Sequence, residues 1–150
     1  MIRPAIVSDA ERILALAKQE LGYEPELQQV IDRLASLDLD RECVLIAEED
    51  GRAAGFVHVS AYESLLLPKC ANLMGLAVDA TYQGSGLGSQ LLSAAEAWAV
   101  SHGMASMRVN SGESREEAHR FYRSMGYTPV KKQVKFVKTL DATGAGSVSK

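Results

Sequence analysis

The chain has 150 residues, 47% of them apolar, and a net charge of −3, which suits one globular domain with a sizeable core. The slight acidic excess argues against a broad nucleic-acid footprint, which calls for a basic surplus. Cys43 and Cys70 show neither metal-ligand spacing nor a paired framework, no charged-then-apolar leader opens the chain, and no apolar run approaches the ~20 residues of a bilayer span, so the expectation is a reduced, cytoplasmic protein with no membrane partner.

Met1 to Ile6 fits a brief first strand. Ser8-Asp9-Ala10-Glu11 reads as a capping box opening a helix whose stripe is Ile13, Leu14, Ala17 and Leu21, with Gly22 as its stop. Pro25 marks the start of a second helix, with Leu27, Val30, Ile31 and Leu34 on its buried side. The acids Glu20, Glu24, Glu26 and Asp32 around this pair could attract a cationic amine, but acids on helix surfaces read first as solvated faces. Cys43–Ala47 and Ala54–Ser60 flank Glu49-Asp50-Gly51-Arg52, and an Asp-Gly turn between such runs predicts a hairpin. A loop over Tyr62–Lys69 leads to Ala71–Val78, a strand apolar on both faces in which Gly75 marks a bulge or a close backbone approach.

Leu87, Leu91, Ala95, Trp98 and Ala99 form a helical stripe closed by His102-Gly103, and Met104–Val109 is the next strand. Ser114-Arg115-Glu116-Glu117 reads as a second capping box. It opens a helix with Ala118, Phe121, Tyr122 and Met125 on one face and Gly126 at its end. Val134–Leu140 supplies the last strand, after an optional short one near Thr128, and small polar residues from Thr143 to Lys150 predict a frayed tail. The pattern is one domain over 1–140 and a flexible tail over 141–150. Its order is β-α-α-β-β-β-α-β-α-β, an α/β (α+β) fold with a mixed central sheet of six to seven strands and helices on both faces.

The most informative stretch is Val78 to Leu92. It passes from a strand through Gln83-Gly84-Ser85-Gly86-Leu87-Gly88 into a helix. Glycines at alternate positions leave backbone N–H groups uncovered, and a helix opening there adds its unsatisfied first-turn donors, so the segment is an anion cradle suited to phosphate or pyrophosphate. A mononucleotide loop would need Lys-Ser or Lys-Thr where Ser89-Gln90 stands, and a dinucleotide fingerprint would place its third glycine one position later. Both are excluded.

The segment resembles the acyl-CoA pyrophosphate loop of the GNAT N-acetyltransferase superfamily. Leu76-Ala77-Val78 before it, and Ala118-His119-Arg120-Phe121-Tyr122 through Gly126-Tyr127 after it, are similar to the strand and last-helix signatures of that family. The resemblance implies a GNAT fold with splayed central strands and transfer of an acetyl group from acetyl-CoA, without a metal, to the primary amine of a small molecule or peptide. It places the pyrophosphate on Gln83, Gly84, Ser85, Gly86, Leu87, Gly88 and Ser89. The pantetheine arm lies along Leu76, Ala77 and Val78, with the Val78 N–H facing the developing oxyanion. Tyr122 matches the general acid that protonates the departing thiolate, and it belongs to the cofactor set as well.

Two departures qualify the likeness. Asn72 stands where many members carry a catalytic glutamate, and an amide cannot take a proton. Glu63, in the preceding loop, is then the remaining carboxylate for the base, with His58 behind it as a strand hydrogen-bonding group. Arg115 stands where many members carry a cofactor-binding Asn. It is assigned to the CoA phosphates or else pairs with Glu116 or Glu117, while Asn110 supplies an alternative amide contact. His102 and His119 lack partners at metal spacing. The resemblance also implies homodimers through C-terminal strands, for which Val134–Leu140 is available. The alternative function is a non-catalytic acyl-CoA sensor or interaction module on the same fold.

Overall fold

A computed structural model describes residues 1–141 and, as backbone, 147–148. Apart from that last pair, the expected tail over 143–150 lies outside the described residues. The chain packs as two compact units, Met1–Asn110 and the segment from Ser111 onward.

The first unit holds strands β1 (Ile2–Pro4), β2 (Glu42–Glu49), β3 (Arg52–Tyr62), β4 (Cys70–Val78) and β5 (Met107–Val109). It also holds helices α1 (Ala10–Leu16), α2 (Leu27–Ala35) and α3 (Leu87–Ser101). The five strands form one mixed sheet in sequence order, antiparallel except for the parallel pair β4–β5. The β2–β3 hairpin turns on Asp50 and Gly51, at φ 53° and 75°, the doubly left-handed turn that an Asp-Gly pair favours.

Residues directly opposite in an antiparallel pair share a face. Val44, Ile46, Phe56 and Ala77 therefore form one apolar layer, which packs with Ile13, Leu16 and Ala17 of the first helical segment and with Val30 and Leu34 of α2. The other face receives α3, whose Leu91 approaches the bare backbone of Gly55. Helices thus cover both faces, as the sequence predicts. Among the described residues no helix is long and apolar enough to cross a membrane.

Two local features depart from plain geometry. The end of α1 widens into a π-turn over Ala17–Leu21 before Gly22 stops it at φ 75°. In β4, His58 faces Gly75 but Val59 faces Leu73, so Met74 is an extra, bulged residue. The bulge expected at Gly75 lies beside it, and the missing side chain leaves room for Leu21 and the Phe56 ring, 3.7 and 3.6 Å from where a Cβ would sit.

Several sequence expectations are corrected. Ser8 does not cap the first helix. Asp9 is the buried acceptor there, taking the Ile6 N–H at 2.8 Å and both Arg3 guanidinium nitrogens at 2.8 and 2.9 Å. Pro25 lies two residues before α2 rather than at its first position. Strand β5 begins only at Met107, because the Met104 N–H bonds Ala99 O at 3.0 Å in closing α3 and the Ala105 N–H bonds Lys69 O at 3.1 Å.

The second unit holds α4 (Glu116–Ser124), β6 (Lys138–Thr139) and β7 (Ser147–Val148). Helix α4 starts after Arg115 with no side-chain cap, so the Ser114 box does not form, and Gly126 follows its end at φ 92°. The sheet count of six to seven also falls to five. Among the described residues strands β6 and β7 pair only with each other, and residues 130–137 carry no regular structure, with Val134 and Phe136 exposed.

Candidate active site

The site is built where β4 runs into the glycine turn. The Asp79 N–H donates to Ala54 O at 2.8 Å, which makes Gly55–Val78 a pair that exchanges no hydrogen bonds across the ladder. Alternation then turns the Ala77 backbone groups toward β3 and those of Leu76 and Val78 away from it. On that outer side β5 pairs with β4 only at Ala71, Asn72 and Leu73. Strand β5 ends at Val109, opposite Leu73, and among the described residues no strand pairs with Leu76 or Val78 on that side, so their amides line an unpaired sheet edge. Such an edge accepts an extended amide-bearing chain as an added strand.

Asp79 fixes the exit from this edge. Its carboxylate accepts the Thr81 N–H at 2.9 Å and the Arg12 guanidinium at 3.1 Å. These bonds, the Thr81 amide first, hold its pKa below the usual carboxylate value. A short helical turn over Ala80–Tyr82 follows. Gln83 at φ −66°, ψ 142° and Gly84 at φ 84° then form a type II turn, closed by the Ser85 N–H on Tyr82 O at 3.2 Å. Gly86, at φ 90°, is the left-handed cap of α3. The first helical bond is the Gln90 N–H on Gly86 O at 3.0 Å, so the N–H groups of Leu87, Gly88 and Ser89 have no acceptor within the helix. The turn and the helix start thus lie where the glycines predict, with uncovered N–H donors at the head of α3. Two of the three glycines use the left-handed region, while Gly88 lies within the first helical turn.

The side chain of Gln83 points elsewhere. Its Nε2 donates to Val78 O at 3.0 Å and to Glu20 Oε1 at 2.7 Å, which engages both hydrogens of the amide. The Gln83 and Ser85 N–H groups are also engaged within the turn. The donors left for an anion are therefore those at Gly84 and from Gly86 to Ser89.

The base candidates are placed as follows. Glu63 is exposed on its loop, where Arg41 Nη1 donates to Glu63 Oε1 at 2.5 Å. His58 lies on the face of α1 and α2, and its Nε2 is 3.0 Å from Glu42 Oε1. Burial lowers the His58 pKa despite that carboxylate, so the ring is neutral at pH 7 and donates the shared hydrogen. Burial alone would raise the Glu42 pKa, but the bonds from His58 and Arg33 outweigh it and hold the carboxyl below its ordinary value. Asn72 Nδ2 lies 3.1 Å from Met74 Sδ, and its buried Oδ1 has no partner among the described residues.

Within the second unit, Tyr122 sits on α4 with the Phe121 ring edge-on at 5.4 Å and the Tyr127 ring at 5.8 Å. Burial raises the phenol pKa, against a lowering by Arg115, so the hydroxyl is protonated at neutral pH. Arg115 makes no ion pair with Glu116 or Glu117 among the described residues. His119 Nε2 bonds Gly112 O at 2.9 Å. Asn110 is exposed just past β5. Sequence reasoning named Glu20 only among the acids of the helical pair; its link to Gln83 spans 63 positions and leaves no local signal.

The sequence profile of the acetyltransferase (GNAT) family matches residues 9–127. The chain is 28% identical over 146 residues to an aminoglycoside N(6')-acetyltransferase type 1 of Stenotrophomonas maltophilia, covering 93% of this chain and 94% of that one. Among solved structures, the apo aminoglycoside 6'-N-acetyltransferase AAC(6')-IG of Acinetobacter haemolyticus superposes with a TM-score of 0.79 at 22% identity, over 94% of this chain and 99% of that one. Aminoglycoside N-acetyltransferase AAC(6')-Iy, solved with CoA, does so at 0.77 and 20%, over 92% and 98%. With the profile spanning most of its length, from the first helix through the glycine turn to Tyr127, the chain belongs to the acetyltransferase (GNAT) family.

Proposed function

We propose that this protein transfers the acetyl group of acetyl-CoA directly to a primary amine. The observation that carries the reading is the adjacency of an open amide edge at Leu76 and Val78 to an anion cradle at Gly86–Ser89. One extended ligand with amides at one end and a pyrophosphate at the other satisfies both, and CoA has that composition. The CoA held by AAC(6')-Iy supports the same assignment.

In the proposed reaction the neutral amine nitrogen attacks the thioester carbonyl carbon. The Val78 N–H stabilises the oxyanion as the C–N bond forms. The C–S bond then breaks, the thiolate takes the proton of the Tyr122 phenol, the proton shed by the attacking nitrogen passes to water, and water reprotonates the Tyr122 phenolate. The amine relatives named above are aminoglycoside acetyltransferases, so an amino sugar heads the acceptor candidates. Purified protein is offered acetyl-CoA with an aminoglycoside, a diamine and a short peptide in turn, and thiol release is followed. Amine-dependent release from at least one acceptor is expected. Tight CoA binding with no release from any of them would favour an acyl-CoA sensor instead.

A further inference from the structure

We infer that Glu20 is the docking group for the protonated amine of the acceptor. The inference rests on the acetyl-transfer reading above and assigns a residue on its acceptor side. Val78 N–H and C=O leave β4 on the same, outer side, because both groups of one strand residue point the same way. Gln83 Nε2 bonds that carbonyl at 3.0 Å and Glu20 Oε1 at 2.7 Å. One amide nitrogen therefore ties the Glu20 carboxylate to the residue whose N–H faces the reacting carbonyl.

The backbone has been shaped to bring Glu20 there. The π-turn over Ala17–Leu21 widens the end of the first helix, and such one-turn bulges are frequent at functional sites. Leu21 settles over Gly75 at the β4 bulge, which anchors the turn against the strand and carries Glu20 past its edge.

Charge separates Glu20 from most acids near the sheet, Asp50 excepted, which accepts from the neutral Tyr82 hydroxyl at 2.8 Å. Asp79 faces Arg12 and Arg52, Glu42 faces Arg33 and His58, Glu63 faces Arg41, and Asp9 faces Arg3. Glu20 makes no ion pair among the described residues; its hydrogen-bond partner is the neutral Gln83 amide. A carboxylate oriented by a neutral donor has no cation already beside it, and an ammonium supplies three N–H donors to it. The class of acceptor is thus an amine that is cationic at neutral pH.

The test is Glu20→Gln, which keeps an oxygen for the Gln83 amide and removes only the charge. With the amine that the parent acetylates fastest, E20Q should raise the amine KM by about tenfold or more and leave the acetyl-CoA KM within twofold. Raising NaCl should weaken the amine KM of the parent and not that of E20Q, because salt screens an exposed charge pair. An E20Q enzyme with the parent's amine KM and salt dependence would overturn the role of Glu20 while leaving acetyl transfer intact. A parent that acetylates no amine would remove the acetyl-transfer reading itself, and this inference with it.

Discussion

His58 Nε2 and Glu42 Oε1 lie 3.0 Å apart on the helix-covered face of the sheet, with the Arg33 guanidinium 2.6 Å from the same carboxylate oxygen. The neutral ring donates and the carboxylate accepts: burial outweighs the pull of Glu42 on the ring, and the bonds from His58 and Arg33 outweigh burial at the carboxylate. Stability should follow that choice. Below 6.5, the ordinary histidine value, the unfolded chain takes up a proton that folded His58 resists, so stability falls as pH drops from there to the depressed folded value. Glu42 acts in the same direction at lower pH: its contribution is present above 4.5 and is lost as pH falls through its folded value. Melting temperatures across an acid series should decline in both regions. In His58→Gln, which keeps a donor for Glu42, the upper part of the decline should flatten.

Tyr122 carries a raised pKa because burial disfavours the phenolate. A protonated phenol at working pH is the form that can give a proton to a departing thiolate. Tyr122→Phe should therefore lower kcat by roughly 10²-fold with little change in acetyl-CoA affinity. Steady-state kinetics and a binding titration with CoA separate the two effects. Unchanged kcat would leave Tyr122 a packing residue between Phe121 and Tyr127.

Gly55 sits where β3 passes beneath α3. A Cβ there would meet Ala77 O at 2.9 Å and Leu91 Cδ1 at 3.1 Å, and the carbonyl belongs to a paired strand that cannot easily yield. Gly55→Ala should cost about 1–3 kcal/mol by overpacking, read from the urea midpoint at constant m. A shift in m as well would mean that the strand has separated from the helix.

Asp9 is 7% exposed and accepts three hydrogen bonds, two from Arg3 and one from the Ile6 amide. The Arg3 bonds lead in holding its pKa below the ordinary value. Asp9→Ala leaves Arg3 and the Ile6 amide without this partner and should cost about 2–4 kcal/mol. Asp9→Asn, which keeps the acceptor but loses the charge, should fall between the parent and the alanine variant in chemical denaturation.

The parts of the fold legible in sequence were those set by neighbours a few residues apart. Asp50-Gly51 named its own turn, Gly22 and Gly126 ended their helices at positive φ, and the glycines at 84 and 86 declared a turn and a helix start. The two capping boxes failed for a related reason. Asp9, one place beyond Ser8, is drawn to Arg3 by a contact that local spacing does not encode, and Ser114 lies two residues before the helix actually begins. Val134–Leu140 looked strand-like by composition, yet Val134 and Phe136 found no face to bury and only Lys138–Thr139 paired. At the site, the cradle and the open edge were readable as motif and strand. The Glu20–Gln83–Val78 link was not, because it depends on a helix widening by one residue and on a strand with one residue too many.

That surplus residue in β4 sets which way the strand's side chains face. Below the bulge Gly75 and Ala77 share a face with His58 and Phe56; beyond it Leu73 shares a face with Val59, leaving Asn72 opposite Ser60. Met74 thus acts as a parity switch. Regular pairing through Met74, without the bulge, would set Met74 opposite Val59 and Leu73 opposite Ser60, turning the leucine toward α1 and α2 and the Asn72 amide toward α3. The bulge at residue 74, more than the identity of its side chain, decides which residues of β4 stand beside the widened end of the first helix.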